Sequence, residues 1–151
     1  MLLKIPVPWV FVLAYLLALP FQLLFPFNIF SLEELFYVKI AGVILFATGA
    51  FFASWSLLIF HKASTTTTPG ENSKLLVERG PYRYSRNPMY VSLVLAYLGE
   101  AGFLTQIWPL FALPVAILYL NRIVIPLEEE ILENDFRKEY GDYCSRVRRW
   151  I

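Results

Sequence analysis

The segment Gly80-Pro81-Tyr82-Arg83-Tyr84-Ser85-Arg86-Asn87-Pro88-Met89-Tyr90 is polar, basic and aromatic, yet it is set between strongly apolar blocks. Its last residues open one of those blocks. Asn is a good helix N-cap and Pro is favoured at the first helical position, so a helix starts at Pro88. The apolar run that follows reaches about Leu104, interrupted by Gly99 and Gly102. A helix that leaves a polar segment and enters such a run passes from water into lipid. The chain is therefore read as all-α: a polytopic membrane protein of about four transmembrane helices with a C-terminal amphipathic helix.

The rest of the sequence agrees. Of its 151 residues, 58% are hydrophobic and 17% aromatic, more than a soluble domain carries. Besides the span at about 88–104, apolar runs lie at about 7–27, 36–60 and 107–127. Lys4 precedes the first run in the manner of a signal peptide, but no small-x-small cleavage pattern follows it, so it is read as a retained helix. Pro20 and Pro26 are placed to bend or end it. All of residues 1–151 are read as one membrane domain.

Charge sets the expected orientation. Segment 61–87 carries Lys62, Lys74, Arg79, Arg83 and Arg86, and the tail 128–151 carries Arg137, Lys138, Arg146, Arg148 and Arg149. The turns on the opposite side have Glu33 and Glu34 but no Lys or Arg. The positive-inside rule puts segment 61–87, the tail and both termini in the cytoplasm. The net charge of +1 gives no electrostatic support for nucleic-acid binding. One cysteine, Cys144, and one histidine, His61, leave no metal site of the His/Cys type.

Two polar clusters carry the candidate chemistry. Arg83 and Arg86, beside the open amides at the start of the third helix, can hold a carboxylate or phosphate, or can simply be interfacial anchors. Tyr82, Tyr84 and Tyr90 can stack on a purine or hold a cation, or can form an aromatic belt. Glu128-Glu129-Glu130 follow the fourth span. They can pair with Arg83 or Arg86, bind ribose hydroxyls or balance a cation, or they can complement a helix dipole. Leu132, Phe136, Tyr140, Tyr143, Val147 and Trp150 then recur at helical spacing, which predicts a helix packed over the membrane domain or lying in its interface. Glu100, inside the third span, is a functional candidate or an anchor at the far interface.

At these residues the chain resembles the isoprenylcysteine carboxyl methyltransferases and their phospholipid methyltransferase relatives. The family's G-x-Y-x-x-x-R-H-P-x-Y segment reads here Gly80, Tyr82, Arg86, Asn87, Pro88 and Tyr90. Its Glu pair, Leu, Phe-Gly, spaced tyrosines and V-x-R read Glu128-Glu129, Leu132, Phe136, Tyr140, Tyr143, Val147 and Arg149. Asn87 stands where the family has His, and Arg137 stands where it has Gly. Val124 stands where the prenylcysteine enzymes have an Arg that contacts substrate, with Arg122 just before it.

The resemblance implies S-adenosylmethionine bound at the cytoplasmic face by Lys74, Leu75, Leu76, Val77, Tyr82, Asn87, Pro88, Met89, Tyr90 and Glu128, with Arg86 beside them. Arg122 is placed to meet an anionic acceptor head group, and Glu129 is a conceivable base for an amine acceptor. The expected protein is a multi-pass methyltransferase (of the inner membrane, in a bacterium) acting on a lipophilic small-molecule or lipidated acceptor, with membrane lipids as its other partners. Isoprenylcysteine carboxyl O-methylation is the first reading. A phospholipid-amine N-methyltransferase is the second. A non-catalytic membrane scaffold, which would not need the paired motifs, is the third.

Overall fold

The helices begin and end where the sequence gives the backbone a reason to. In the computed structural model, which describes residues 6–27, 30–63 and 75–151, the first helix, α1 (Val7–Leu24), runs through Pro20 and stops short of Pro26. The second, α2 (Leu32–Ala63), starts earlier than the expected Phe36. The reason is a reciprocal capping box: Glu34 N–H donates to Ser31 Oγ at 3.3 Å and Ser31 N–H donates to Glu34 Oε2 at 2.7 Å. A short 3₁₀ turn, Gly80–Arg83, precedes α3 (Pro88–Phe103). Gly80 has φ +61°, a left-handed conformation that glycine adopts without a steric cost.

The glycines of α3 do not interrupt it. They let α2 approach along its length, the two helices running antiparallel. A Cβ built on Gly42 would stand 2.3 Å from the Phe103 nitrogen, one on Gly49 would stand 2.7 Å from the Ser92 carbonyl oxygen, and one on Gly99 would stand 2.4 Å from the Phe46 nitrogen. Close backbone approach at small residues is how helices gain packing energy where lipid removes the hydrophobic drive.

The fourth span and the tail form one helical run. α4 (Trp108–Tyr119) passes through a π turn at Leu120–Val124 into α5 (Ile125–Arg146). Pro126 offers no N–H to the Arg122 carbonyl and its ring crowds it. A widened turn, closed by Ile125 N–H on Leu120 C=O, accommodates this. The tail is thus not a separate helix over 128–151, as expected. Its break comes at Arg137, with φ 44° and ψ −108°, and the chain leaves the helix after Arg146.

Among the described residues, three helical runs, Val7–Leu24, Leu32–Lys62 and Trp108–Arg146, are long and apolar enough to cross a membrane. About four were expected. The 16 residues of α3 extend only about 24 Å, against about 30 Å for a hydrocarbon core. The core lies between α1, α3 and α4, where Phe11, Tyr15, Tyr97, Ala101, Leu113 and Leu120 are buried together. Gln22 of α1 ties down the α3–α4 turn by accepting from the Ile107 and Trp108 amides at 3.2 and 3.4 Å. Segment 64–74, with its Thr-rich run, lies outside the described residues.

Candidate functional site

Both polar clusters meet at one end of the bundle, where α3 begins and α4 passes into α5. Tyr90 is one turn into α3, and its hydroxyl donates to Glu128 Oε1 at 2.5 Å. Tyr90 is buried and Glu128 half-buried. Burial pushes the Glu128 carboxyl above the ordinary carboxylate range; the Tyr90 hydrogen bond works the other way, and neighbouring Glu129 adds to the rise.

Glu129 is engaged differently. Arg149 grips it with a two-point fork, Nε to Oε1 at 3.1 Å and Nη2 to Oε2 at 2.5 Å. Arg86 Nη1 stands 3.3 Å from the same Oε1. Both carboxylate oxygens are therefore occupied by guanidinium donors. Glu129, the conceivable base, here clamps the start of α3 to the end of the chain. Arg86 also directs Nη1 at Cys144 Sγ, 2.6 Å away, while its buried Nε has no hydrogen-bond partner among the described residues.

The tail reaches Arg149 by crossing the start of α3 as an extended strap. Arg86 N–H donates to Arg148 C=O at 2.9 Å, and Asn87 Nδ2 donates to Arg149 C=O at 3.0 Å. The Asn87 side chain thus does not cap α3; it holds the strap, a donor role also open to the histidine of the family motif. Ser85 Oγ accepts the Asn87 N–H instead, at 3.1 Å. Beyond it, Trp150 Nε1 donates to Asn121 Oδ1 at 2.8 Å, fixing the strap to the π turn. The second arm of α5 docks through Tyr143, whose hydroxyl donates to the Tyr82 carbonyl at 2.7 Å. Burial raises the Tyr143 phenol's pKa and keeps that donor protonated.

The other expected residues fall in several places. Pro88 is fully buried and Met89 half-buried at the start of α3. Tyr82 is buried against Phe60, ring centroids 5.1 Å apart with the planes tilted by 51°, so that side of the ring is already covered. Leu76 and Val77 are half-buried and Leu75 exposed, just before Glu78, which pairs with Arg146 at 2.9 Å. Lys74 lies outside the described residues. Arg122 is exposed on the π turn and makes no side-chain hydrogen bond or ion pair among the described residues; nothing in the geometry ties it to Tyr90. Sequence reasoning missed Arg149 as the partner of Glu129, and Asn121 with Trp150. The V-x-R ending of the family motif was the available signal for Arg149.

The apolar stripe of the tail faces inward as its spacing predicted: Tyr140 and Tyr143 are buried, and Leu132, Phe136, Val147 and Trp150 are half-buried. Among the described residues no group of His, Cys, Asp and Glu is arranged to hold a metal ion.

Comparison with known proteins places this end of the bundle in a family. A 63-residue stretch, 42% of this chain, is 36% identical to an uncharacterized protein of Haemophilus influenzae over 100% of that protein's length. No solved structure matches the chain. The family model for phospholipid methyltransferases matches residues 37–139, from early in α2 to the second arm of α5, and so includes Tyr90, Arg86 and both glutamates of the site. The chain belongs to the phospholipid methyltransferase family, the membrane methyltransferases that also include isoprenylcysteine carboxyl methyltransferase-like proteins.

Proposed function

We propose that this protein is an S-adenosylmethionine-dependent methyltransferase of the membrane, with its site at the cytoplasmic face and a lipophilic acceptor. The observation that carries the reading is the convergence of Tyr90, Glu128, Arg86 and Glu129 at one end of a chain with few other polar residues. The positive charge of segment 61–87 and the tail supports the cytoplasmic assignment.

The residues fit the cofactor's chemistry. The buried Arg86 Nε lacks an acceptor among the described residues, and a carboxylate of the methionine moiety would supply one. Glu128 is a half-buried carboxylate whose hydrogen-bond partner is a neutral hydroxyl, so it suits an ammonium group or ribose hydroxyls. When bound, S-adenosylmethionine supplies a methyl carbon activated by its sulfonium. The protein's part is then alignment and exclusion of water. The strap from Val147 to Trp150 closes one side of the site, and the Arg149–Glu129 fork holds it shut.

For the acceptor, O-methylation of a carboxylate in the isoprenylcysteine manner is the better reading. An anionic acceptor needs no base, and Glu129, the candidate base for an amine, has both oxygens engaged. The exposure of Arg122 on the π turn supports a role for it in meeting an anionic head group. Calorimetric titration of S-adenosylhomocysteine into the purified protein tests the core of this proposal. Saturable binding supports it, and no binding to folded protein favours a scaffold.

A further inference from the structure

A second feature lies away from the methyl-transfer site. A half-open groove of about 150 Å³ runs between α1 and α3, lined by Pro8, Phe11, Val12, Tyr15, Leu93, Ala96, Tyr97 and Glu100. The two helices touch through Phe11 and Tyr15 on the Tyr97 ring, at 6.1 and 5.1 Å between centroids, and leave this channel beside the contact. Its walls are apolar or aromatic apart from one carboxylate. The Tyr15 hydroxyl donates to Gln106 and the Tyr97 hydroxyl to the Pro109 carbonyl, so neither proton is left to donate to Glu100. Glu100 itself is exposed and makes no side-chain hydrogen bond or ion pair among the described residues.

Glu100 sits in the last turn of α3, at the opposite end from Tyr90. The turns at its end contribute Glu33 and Glu34 and no Lys or Arg. An acid kept near the hydrocarbon without a partner is costly and calls for a cation. Lys39 of α2 lies at the same level, since the neighbouring Val38 carbonyl meets Gly102, but Glu33, Glu34 and Glu100 outnumber it, so the net charge at this end favours a positive head group over an anionic one.

We infer that this groove is a binding site for a bilayer lipid with an amine head group, its alkyl chain along Val12, Leu93 and Ala96 and its ammonium on Glu100. The lipid would stabilise α1 against α3, and the site is independent of the methyl-transfer reading at the other end.

The test is native mass spectrometry of protein released from nanodiscs of mixed phosphatidylethanolamine and phosphatidylglycerol. Glu100→Gln removes the charge, and Val12→Trp fills the groove from a side chain already exposed. The expected result is retained phosphatidylethanolamine on the wild type, reduced at least tenfold in both variants, and undiminished in Glu128→Gln, with the melting temperature in detergent confirming that each variant is folded. The inference is overturned if folded Glu100→Gln retains the amine lipid as the wild type does, if the wild type retains phosphatidylglycerol in preference, or if only Glu128→Gln loses the amine lipid.

Discussion

The Tyr90 hydroxyl and the Glu128 carboxylate, 38 positions apart in sequence, share a 2.5 Å hydrogen bond that joins the first turn of α3 to the polar start of α5. Each is a residue of its motif that the family resemblance assigns to the cofactor. Their meeting ties the two motifs into one site, and it predicts a mutational pattern. Tyr90→Phe and Glu128→Ala should each weaken S-adenosylhomocysteine binding by about tenfold or more, near 1.4 kcal/mol. Because they form one contact, the double variant should lose less than the sum of the two. Strictly additive losses, measured by calorimetry, would mean that the pair does not act as a unit.

Glu128 also predicts a conflict between stability and binding. Burial raises its pKa in the folded protein, so folding takes up a proton there. Its contribution to stability is present below the unfolded-state pKa and is lost as the pH rises through the folded value. At neutral pH, Glu128→Gln should therefore melt higher than the wild type while binding S-adenosylhomocysteine more weakly. Wild-type binding should fall as the pH drops through the raised pKa, and the variant's should stay flat. A variant that melts lower and binds normally would contradict both halves.

The strap gives a paired comparison. Arg149 and Glu129 form a half-buried fork, whereas Arg146 and Glu78 form an exposed pair with side chains 62% and 34% accessible. Arg149→Ala should cost on the order of 1–2 kcal/mol and weaken cofactor binding, while Arg146→Ala should cost under about 0.5 kcal/mol. Thermal melts and titrations of the two variants check the order, and equal effects would remove the strap from the account.

Backbone geometry supplies a fourth test. Gly42→Ala and Gly99→Ala should each destabilise by about 1–3 kcal/mol through overpacking against the facing helix backbone. Gly141→Ala, with nothing within 4 Å of a built Cβ, should stabilise α5 by about 0.5–1 kcal/mol. Arg137 holds φ 44°, so Arg137→Gly should relieve about 1 kcal/mol of strain. The same substitution restores the glycine of the family motif. Melting temperatures in one detergent would rank all four.

Much of this was legible in the sequence, and the misses have physical causes. Apolar runs placed the helices, and the stripe through Tyr140 and Tyr143 predicted which face of the tail is buried. The Gly80–Tyr90 segment and the Glu128–Glu129 pair were singled out, and the structure brings them together. The start of α2 was misplaced because the Ser31–Glu34 box was overlooked, although it is a local signal. The break at Arg137 was not legible. Nothing in a lone arginine announces a positive φ; only the family's glycine at that position hinted at it. The Arg149–Glu129 fork was hidden for a different reason. Many charges could pair with many, and three-dimensional proximity alone selects among them.

The orientation can be mapped on a Cys144→Ser background. Ser31→Cys should react with a membrane-impermeant thiol reagent from outside intact cells, and Tyr84→Cys, on an exposed side chain, should react only after permeabilisation. External labelling of Tyr84→Cys would reverse the assigned faces.

The most direct test of the central claim is methyl transfer itself. Purified protein in nanodiscs of native membrane lipid would be supplied with S-adenosylmethionine labelled on its methyl group, and the products partitioned between organic and aqueous phases. The account predicts label in a lipid-extractable product, lost in Tyr90→Phe and Glu128→Ala, with Arg122→Ala raising the KM for the acceptor more than that for the cofactor. Label transferred with equal efficiency to a freely water-soluble acceptor, or no transfer by a protein that binds no S-adenosylhomocysteine, would contradict it.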